Sequence, residues 1–395
     1  MKLHVTASAN GVVIVGGGLA AARTAEQLRR ANYTGPITIV SDEVHLPYDR
    51  PPLSKEVLRS EVDDVTLKPR EFYDEHRITL RLGSAATSLD TAAQTVTLDD
   101  GPCSVTTSSS SRPVWCRGAS RRFLTWRASG CCGPTTRASR CAGMPPKPDT
   151  PWWSGRLHRL RSGRQPARAG VDVALVEPQP APLAGVLGVQ IGELVARLHR
   201  AEGVDVRTEV AVAEVRGDGH VDSVVLTDGV ELTADLVVVG IGSRPATEWL
   251  AGSGIKVDNG VICDEAGHTS APNVWALGDV ASWRNPTGHQ VRVEHWSNVA
   301  EQARVVVPAM LGRPAPSHVV VPYFWSDQYD IKIQCLGEPQ ATDIVHLVED
   351  DGRKFLAYYE RDGIVAGVVG AGMPGKVMKT RAKIAGAAPI AEVLA

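Results

Sequence analysis

The sequence has no run of about twenty consecutive apolar residues, so no segment is expected to cross a bilayer as a helix. Its N-terminus lacks the basic stretch and long apolar run that are typical of a secretory signal. Seven cysteines at irregular spacing do not form a disulfide framework. The net charge of −2 favours neither nucleic acid nor a membrane surface as a partner. These absences predict a cytoplasmic protein.

Alternating apolar runs and helical stretches predict an α/β fold. An apolar run at residues 12–15, a helical stretch at 20–30 and a second run at 37–40 form a βαβ pattern, which favours a parallel sheet. The further strands expected from the pattern lie at 78–82, 95–98, 171–176, 210–215, 221–226 and 235–239. A helix is expected to run through 191–201, and the part after about residue 316 is rich in strands and ends in a helical tail. With 395 residues, the length favours two or three domains.

A glycine-rich turn follows the first apolar run. Gly16, Gly18 and Ala21 have the spacing G-x-G-x-x-A, in which the glycines permit a tight turn and a close approach of pyrophosphate to the backbone. An ordinary turn is the alternative for this motif alone. The second strand ends in Asp42 and Glu43, where a carboxylate accepts hydrogen bonds from a ribose hydroxyl. Strand, turn, helix, strand and acid together favour a dinucleotide site.

Five stretches resemble, in the right order, bacterial NADH-dependent ferredoxin reductases of the pyridine nucleotide-disulfide oxidoreductase superfamily. They are HLPYDRPPLSKEVL at 45–58, DLVVVGIGSRP at 235–245, TSAPNVWALGDVASW at 269–283, RVEHWSNVAEQA at 292–303 and YFWSDQYDIKIQ at 323–334. The resemblance covers roughly residues 10–101 and 170–340.

The resemblance implies two Rossmann-like nucleotide-binding domains and a smaller C-terminal α+β domain. The FAD domain is expected at 1–101 and 235–314, the NAD domain at 102–234 and the C-terminal domain at 315–395. The implied activity passes electrons from NADH through FAD to a small ferredoxin, [2Fe–2S] or similar, that serves a monooxygenase or dioxygenase. Nucleic acid and membranes are not expected partners.

The resemblance also implies the roles of site residues. Lys55 is expected beside the flavin as the catalytic residue, and Asp279 is expected to hold the ribityl chain. A helix from Asn298, preceded by Ser297, would direct its positive end at the flavin pyrimidine. The other expected FAD contacts are Arg50, Ala86, Gly240, Gly242, Trp296 and Trp325. The alternatives are a solvated lysine at Lys55, an ordinary N-cap at Ser297 and core positions for the two tryptophans.

Glu177, at the end of a predicted strand, is expected to bind the ribose of NAD and to disfavour the phosphate of NADP. The alternative is a solvated carboxylate at the strand end. No metal-ligand cluster is found in the sequence. Residues 30–102 contain no cysteine, so the disulfide chemistry of related reductases is not expected.

Residues 102–169 depart from the family. The segment is rich in Arg and Lys, contains Asp149 as its one acidic residue, and shows no helix or strand pattern. A second glycine motif for NAD is expected here, but its three glycine positions fall on Ser154, Arg156 and Arg159. The glutamate expected to pair with Lys55 falls on Arg161.

A translation frameshift accounts for this segment. In the frame one base back, SVTTSSSSRPVW can spell GYDVVVVATGVV, a strand followed by the ATG turn that the family places against FAD. In the other frame, LHRLRSGRQPARA can spell FIGCEAAASLRAR, the end of the NAD glycine motif with its glutamate. A genuine basic insert is the alternative, and a nucleic-acid-binding protein that uses this Arg-rich segment is a rival function. If the literal sequence is translated, the hypothesis becomes an FAD-binding protein without NADH-driven reductase activity.

Overall fold

A computed structural model describes residues 11–57, 61–103, 114–116, 125–127, 172–285, 288–314 and 320–394. The chain divides into two compact units. Unit 1 contains Met1–Ser120 and Arg244–Val320, and unit 2 contains Arg121–Ser243 and Val321–Ala395. In the described ranges, no helix combines the length and the apolarity needed to cross a membrane.

The strands of the described residues are numbered in chain order. They are β1 Val12–Val15, β2 Ile37–Ser41, β3 Ile78–Leu82, β4 Ala86–Asp90, β5 Thr95–Leu98, β6 Gly101–Cys103, β7 Val114–Cys116, β8 Thr125–Arg127, β9 Ala174–Glu177, β10 Asp205–Thr208, β11 Val212–Arg216, β12 Ser223–Leu226, β13 Glu231–Thr233, β14 Leu236–Val238, β15 Val257–Asp258, β16 Gly260–Cys263, β17 Val274–Ala276, β18 Ala281–Arg284, β19 Gln290–Val291, β20 Tyr323–Gln328, β21 Ile331–Gly337, β22 Ile344–Asp350, β23 Phe355–Arg361 and β24 Ile364–Ala371. The helices are α1 Leu19–Arg30, α2 Arg70–Glu75, α3 Ala184–Ala201, α4 Trp296–Met310, α5 Pro374–Lys379, α6 Arg381–Ala385 and α7 Ala391–Leu394. Short 3-10 turns span Pro51–Ser54, Glu248–Leu250 and Gly278–Val280.

A five-stranded parallel sheet forms the centre of unit 1, with strand order β17-β7-β1-β2-β3. All four residues of β1 are buried, as expected for a central strand covered on both faces. Its register with β2 pairs Val12 with Ile37, and α1 connects the two strands. The predicted βαβ unit is confirmed.

Helices α1 and α4 pack against this sheet in one apolar core. Ala21 and Ala303 are fully buried in that core, and their small side chains permit close packing between helix and strand. Glu26 of α1 is also buried, and it forms ion pairs with Arg23 and Arg30 at 3.0 and 2.9 Å. The paired charges compensate for the cost of burying this carboxylate.

Unit 2 contains two kinds of sheet. Strands β9 and β10 pair in parallel, and α3 connects them along the chain. The C-terminal part is an antiparallel sheet with order β20-β21-β24-β23-β22. Leu187, Ile191 and Val195 of α3 share a buried core with Ile333 and Phe355 of this sheet. Helix α3 therefore provides part of the cover over the C-terminal sheet.

Two expectations about these elements were wrong. In the described part of the segment from 102 to 169, β7 lies between β1 and β17, and β8 pairs antiparallel with β14. Strand β9 begins at Ala174 rather than at 171. Helix α3 runs through 191–201 as predicted, and it begins earlier, at Ala184, with non-helical backbone at Gly188. Backbone pairing with neighbouring strands sets β7 and β8, and the local sequence pattern does not report that pairing.

Candidate functional site

The glycine turn lies between the carboxyl end of β1 and the start of α1. Gly16 has a φ of 112°, and its N–H donates a hydrogen bond to the Val40 carbonyl at 2.6 Å. A Cβ atom on Gly17 would lie 2.3 Å from Ser41 Oγ. Gly18 is the N-cap of α1, and no side chain caps the helix there. The first N–H groups of α1 are thus available to an anion.

Acidic and basic side chains follow β2 at the same edge of the sheet. Asp42 is exposed, and Glu43 forms a 3.0 Å ion pair with Arg50. Burial raises the pKa of Tyr48, and its hydrogen bond with Glu43 acts in the same direction. The N–H of Gly83 donates to the Glu43 carbonyl at 3.1 Å and thereby holds the loop after β2.

Two further predicted residues, Lys55 and Ala86, lie in unit 1. Lys55 follows the 3-10 turn Pro51–Ser54, and only 7% of it is exposed, so the alternative of a solvated surface lysine was wrong. Ala86 begins β4, is half-buried, and pairs with Leu98 of β5.

The loop after β17 presents Asp279. Gly278 has a φ of 75°, and its N–H donates to Gln302 Oε1 at 2.7 Å. Asp279 is half-buried, and its carbonyl accepts a hydrogen bond from Arg292 Nη1 at 2.9 Å. Arg292 also forms an ion pair with Glu294, and the side chains of both are more than nine-tenths buried. This buried pair fixes the backbone that carries Asp279.

Helix α4 begins at Trp296, with His295 as its N-cap, so the expected start at Asn298 was wrong. Burial lowers the pKa of His295 to about 4, against the opposing effect of the nearby Asp279 carboxylate. Trp296 is 37% exposed, and its indole Nε1 donates to Asp49 Oδ1 at 2.8 Å. Trp296 is therefore not a core residue.

Four predicted residues lie in unit 2. Glu177 ends β9 with 4% exposure and accepts a hydrogen bond from the Gln179 N–H at 3.1 Å, so the alternative of a solvated carboxylate was wrong. Gly240 is buried, and Gly242 is exposed with a φ of 103°. Trp325 is half-buried on β20.

Trp325 has an aromatic and a cationic neighbour on the surface of the C-terminal sheet. The ring of Tyr323 stacks on it with centroids 5.7 Å apart, and Lys332 Nζ lies 5.8 Å from its ring centroid. Trp325 is half-buried and belongs to neither of the two buried apolar clusters of the C-terminal sheet.

The structure brings ten predicted residues into unit 1 and four into unit 2. The first set is Gly16, Gly18, Ala21, Asp42, Glu43, Arg50, Lys55, Ala86, Asp279 and Trp296; the second is Glu177, Gly240, Gly242 and Trp325. Ser154, Arg156, Arg159 and Arg161 lie outside the described residues.

Sequence reasoning missed Ser41, Arg292, Glu294 and Gln302. Arg292 and Glu294 are two residues apart, a spacing that usually indicates exposed charges on one face of a strand. Their burial depends on the packing of the Asp279 loop, and no local pattern reports it.

The residues of unit 1 fit FAD. Gly17 leaves room for Ser41 but for no side chain of its own, and the uncapped start of α1 suits a pyrophosphate. Asp42 and Asp279 offer carboxylates at the carboxyl ends of β2 and β17, where ligands bind in such sheets. Among the described residues, no three His, Cys, Asp or Glu side chains group as metal ligands.

Comparison of the sequence with models of protein families shows the family to which the chain belongs. The model of the pyridine nucleotide-disulphide oxidoreductases matches residues 10–130 and 163–303, and the model of the reductase C-terminal domain matches residues 323–395. The chain belongs to the pyridine nucleotide-disulphide oxidoreductase family. The first match leaves out residues 131–162, which include the four positions at which the NAD motif departs from expectation.

This oxidoreductase is similar along most of its length to named reductases. It is 36% identical to a ferredoxin–NAD(P)+ reductase of a Sphingomonas species over 90% of this chain and 87% of the relative. It is 32% identical to a rubredoxin–NAD+ reductase of Ectopseudomonas oleovorans over 82% of this chain and 86% of the relative. The crystal structure of a covalent putidaredoxin reductase–putidaredoxin complex matches with a TM-score of 0.81 at 25% identity, covering 98% of this chain and 95% of that chain.

The comparisons confirm the predicted family and the α/β fold class with its C-terminal reductase domain. They also confirm an oxidoreductase that uses FAD as cofactor and a nicotinamide nucleotide as substrate. The frameshift stays a prediction.

Proposed function

We propose that this oxidoreductase takes electrons from NADH onto FAD and delivers them singly to a small ferredoxin that serves an oxygenase. The observation that carries the proposal is the FAD cradle of unit 1, in a chain 36% identical to a ferredoxin reductase over nine-tenths of its length. Bound FAD would accept a hydride and release electrons one at a time.

Each residue of the site is proposed to have its own role in binding FAD. Gly16, Gly18 and Ala21 provide the turn for the pyrophosphate, and Asp42 or Glu43 accepts hydrogen bonds from the ribose. Asp279 holds the ribityl chain. The remaining proposed contacts with FAD are Arg50, Ala86, Gly240, Gly242, Trp296 and Trp325.

Lys55 is proposed as the charged residue beside the flavin. Its low exposure supports this role, since a buried ammonium exerts a stronger electrostatic effect than a solvated one. Glu177 is proposed to bind the ribose of NADH, and its carboxylate would repel the phosphate of NADPH. Its hydrogen bond with the Gln179 N–H fixes the position of one carboxylate oxygen.

The proposed electron acceptor is a ferredoxin of the [2Fe–2S] type, working in the cytoplasm, where NADH is available. A rubredoxin is the alternative acceptor, because a relative that bears that name is also similar to this chain.

A second candidate function is FAD binding without reduction by NADH. The observation behind it is the presence of Ser154, Arg156 and Arg159 at the glycine positions of the NAD motif. Side chains there would block the approach of a pyrophosphate to the backbone. The two candidates share the flavin site and differ only in how electrons enter.

The flavin and the exit of electrons can be tested without NADH. The purified protein is expected to release FAD, and not FMN, when it is heated and the extract is separated by chromatography. Its photoreduced flavin is then mixed anaerobically with oxidised [2Fe–2S] ferredoxins and, in parallel, with a rubredoxin. Rapid bleaching of a ferredoxin supports the proposal. FMN in the extract, or transfer to neither acceptor, contradicts it.

A further inference from the structure

A buried hydrogen bond joins the last turn of α3 to the hairpin between β20 and β21. His199 Nδ1 and the Tyr329 hydroxyl lie 2.7 Å apart, and both residues are buried. Their rings meet edge to face, with centroids 5.5 Å apart. Burial lowers the pKa of His199 to about 4, so the imidazole is neutral at physiological pH.

Tyr329 occupies a turn that strongly constrains the chain. Gln328 pairs with Ile331, which leaves Tyr329 and Asp330 as the two residues of the hairpin loop. Tyr329 has a φ of 56°, a conformation that costs energy for a bulky side chain and normally favours glycine. The contact with His199 is therefore part of what holds this loop in place.

Ion pairs also connect the same loop to the C-terminal end of α3. Arg353 forms ion pairs with Asp330 of the loop and with Glu202, the C-cap of α3. The two residues of the loop thus each connect to α3, Tyr329 through a buried hydrogen bond and Asp330 through an ion bridge.

Trp325 lies on β20, the strand that leads into this loop. It lies four residues before Tyr329 on β20, directly opposite Gln334 of β21. Helix α3, in turn, follows β9, which ends in Glu177. A displacement of the loop relative to α3 would therefore shift the hairpin that carries Trp325.

We propose that His199 and Tyr329 are positioning residues that set the orientation of Trp325 and tie it to the helix following the Glu177 strand. The proposal rests on the proposed contact of Trp325 with the flavin. Both residues act through the hairpin.

The test uses the FAD-loaded protein and follows the fluorescence of bound flavin, which an adjacent tryptophan quenches. Tyr329→Phe removes the hydroxyl and keeps the ring. We expect it to raise the emission of bound flavin, with about a fivefold shift in population towards displaced hairpins, the equivalent of a hydrogen bond worth about 1 kcal/mol. His199→Leu is expected to do the same, and His199→Asn, which retains a polar atom near the Nδ1 position, is expected to restore quenching.

Tyr359→Phe is the matched control. Its hydroxyl donates a 2.8 Å hydrogen bond to the Leu187 carbonyl of α3, so the change removes one buried tyrosine hydrogen bond from the same helix and leaves the Trp325 hairpin intact. We expect a similar loss of thermal stability with unchanged flavin emission.

Trp325→Ala separates the two proposals. If Trp325→Ala raises the emission and Tyr329→Phe and His199→Leu do not, the positioning role is wrong and the flavin contact stands. If Trp325→Ala leaves the emission unchanged, the flavin contact is wrong and the positioning role falls with it. An equal rise in Tyr359→Phe would show a general loosening of unit 2 and would overturn the positioning role.

Discussion

At the scale of single residues, the approach of Gly17 to Ser41 limits what the glycine turn can contain. A Cβ atom at Gly17 would lie 2.3 Å from Ser41 Oγ and 2.6 Å from Ser41 Cβ, and Ser41 is buried. Rotation of the Ser41 side chain would move Oγ but not Cβ, which is fixed to the backbone, so the strand itself would have to move. The sequence predicted the turn from Gly16 and Gly18, but it did not identify the partner that Gly17 faces.

Gly17→Ala is expected to destabilise the protein by about 1–3 kcal/mol through overpacking and to weaken FAD retention. Thermal unfolding of the FAD-loaded protein measures the first effect, and flavin content after gel filtration measures the second. The double variant Gly17→Ala/Ser41→Gly removes the atoms that clash and is expected to recover most of the loss. Simple addition of the two single effects would contradict the steric account.

Arg292→Met breaks the buried ion pair with Glu294 and removes the hydrogen bond to the Asp279 carbonyl. Loss of one partner of a buried pair costs about 3–5 kcal/mol, and we expect FAD to dissociate more readily because the Asp279 loop is no longer held. Arg304→Met is the control, since Arg304 is exposed and pairs with Glu301 within one helix. Equal flavin loss in both variants would contradict this role of Arg292.

At the scale of elements, the sequence located several strands of the regular structure. The apolar run at 12–15 and the expected strands at 78–82 and 95–98 coincide with β1, β3 and β5 because alternation and burial are local signals. The start of α4 was wrong because Ser297 has a strong preference for the N-cap position, whereas His295 occupies it. The Trp296 indole donates a hydrogen bond to Asp49, 247 positions away in the sequence. Such a tertiary contact overrides the local preference of a serine for the N-cap position.

Helix α3 is expected to lose stability in mild acid through His199. The pKa of this buried histidine is lowered from 6.5 to about 4, so the unfolded chain binds a proton that the folded chain excludes. Its contribution to stability is present above pH 6.5 and is lost as the pH falls towards 4. The loss between pH 7.5 and pH 5 is expected to be about 2 kcal/mol.

Urea unfolding at both pH values, in the native protein and in His199→Asn, isolates this contribution, since the other titrating groups are common to both. We expect the variant to lose about 2 kcal/mol less between the two pH values. Equal pH dependence of the two proteins would show that His199 is not the group responsible.

At the scale of the whole molecule, the fold class and the family were predictable because five motifs occur in the right order, each too weak to stand alone. The way in which residues 102–243 are divided between the two units could not be predicted from the sequence motifs. Strand β7 lies within a basic segment without any strand pattern, and only its pairing with β1 and β17 reveals it. Strand pairing between distant segments cannot be deduced from the local sequence pattern.

The proposed flavin site of this family member is expected to work with either version of segment 102–169, whereas rapid reduction by NADH requires the frame-restored residues. The remote ADP half of NADH supplies the binding energy that holds nicotinamide in place for hydride transfer. On the family resemblance, Ser154, Arg156 and Arg159 fall where a glycine turn is expected to bind that half. The most direct measurement is anaerobic stopped-flow bleaching of the flavin in two proteins, the literal chain and a version with the frame-restored residues GYDVVVVATGVV and FIGCEAAASLRAR. We expect dithionite to reduce both proteins. We expect NADH to reduce the restored protein rapidly, and faster than NADPH does, and to reduce the literal chain very slowly. Equally fast reduction of both proteins by NADH would contradict this expectation.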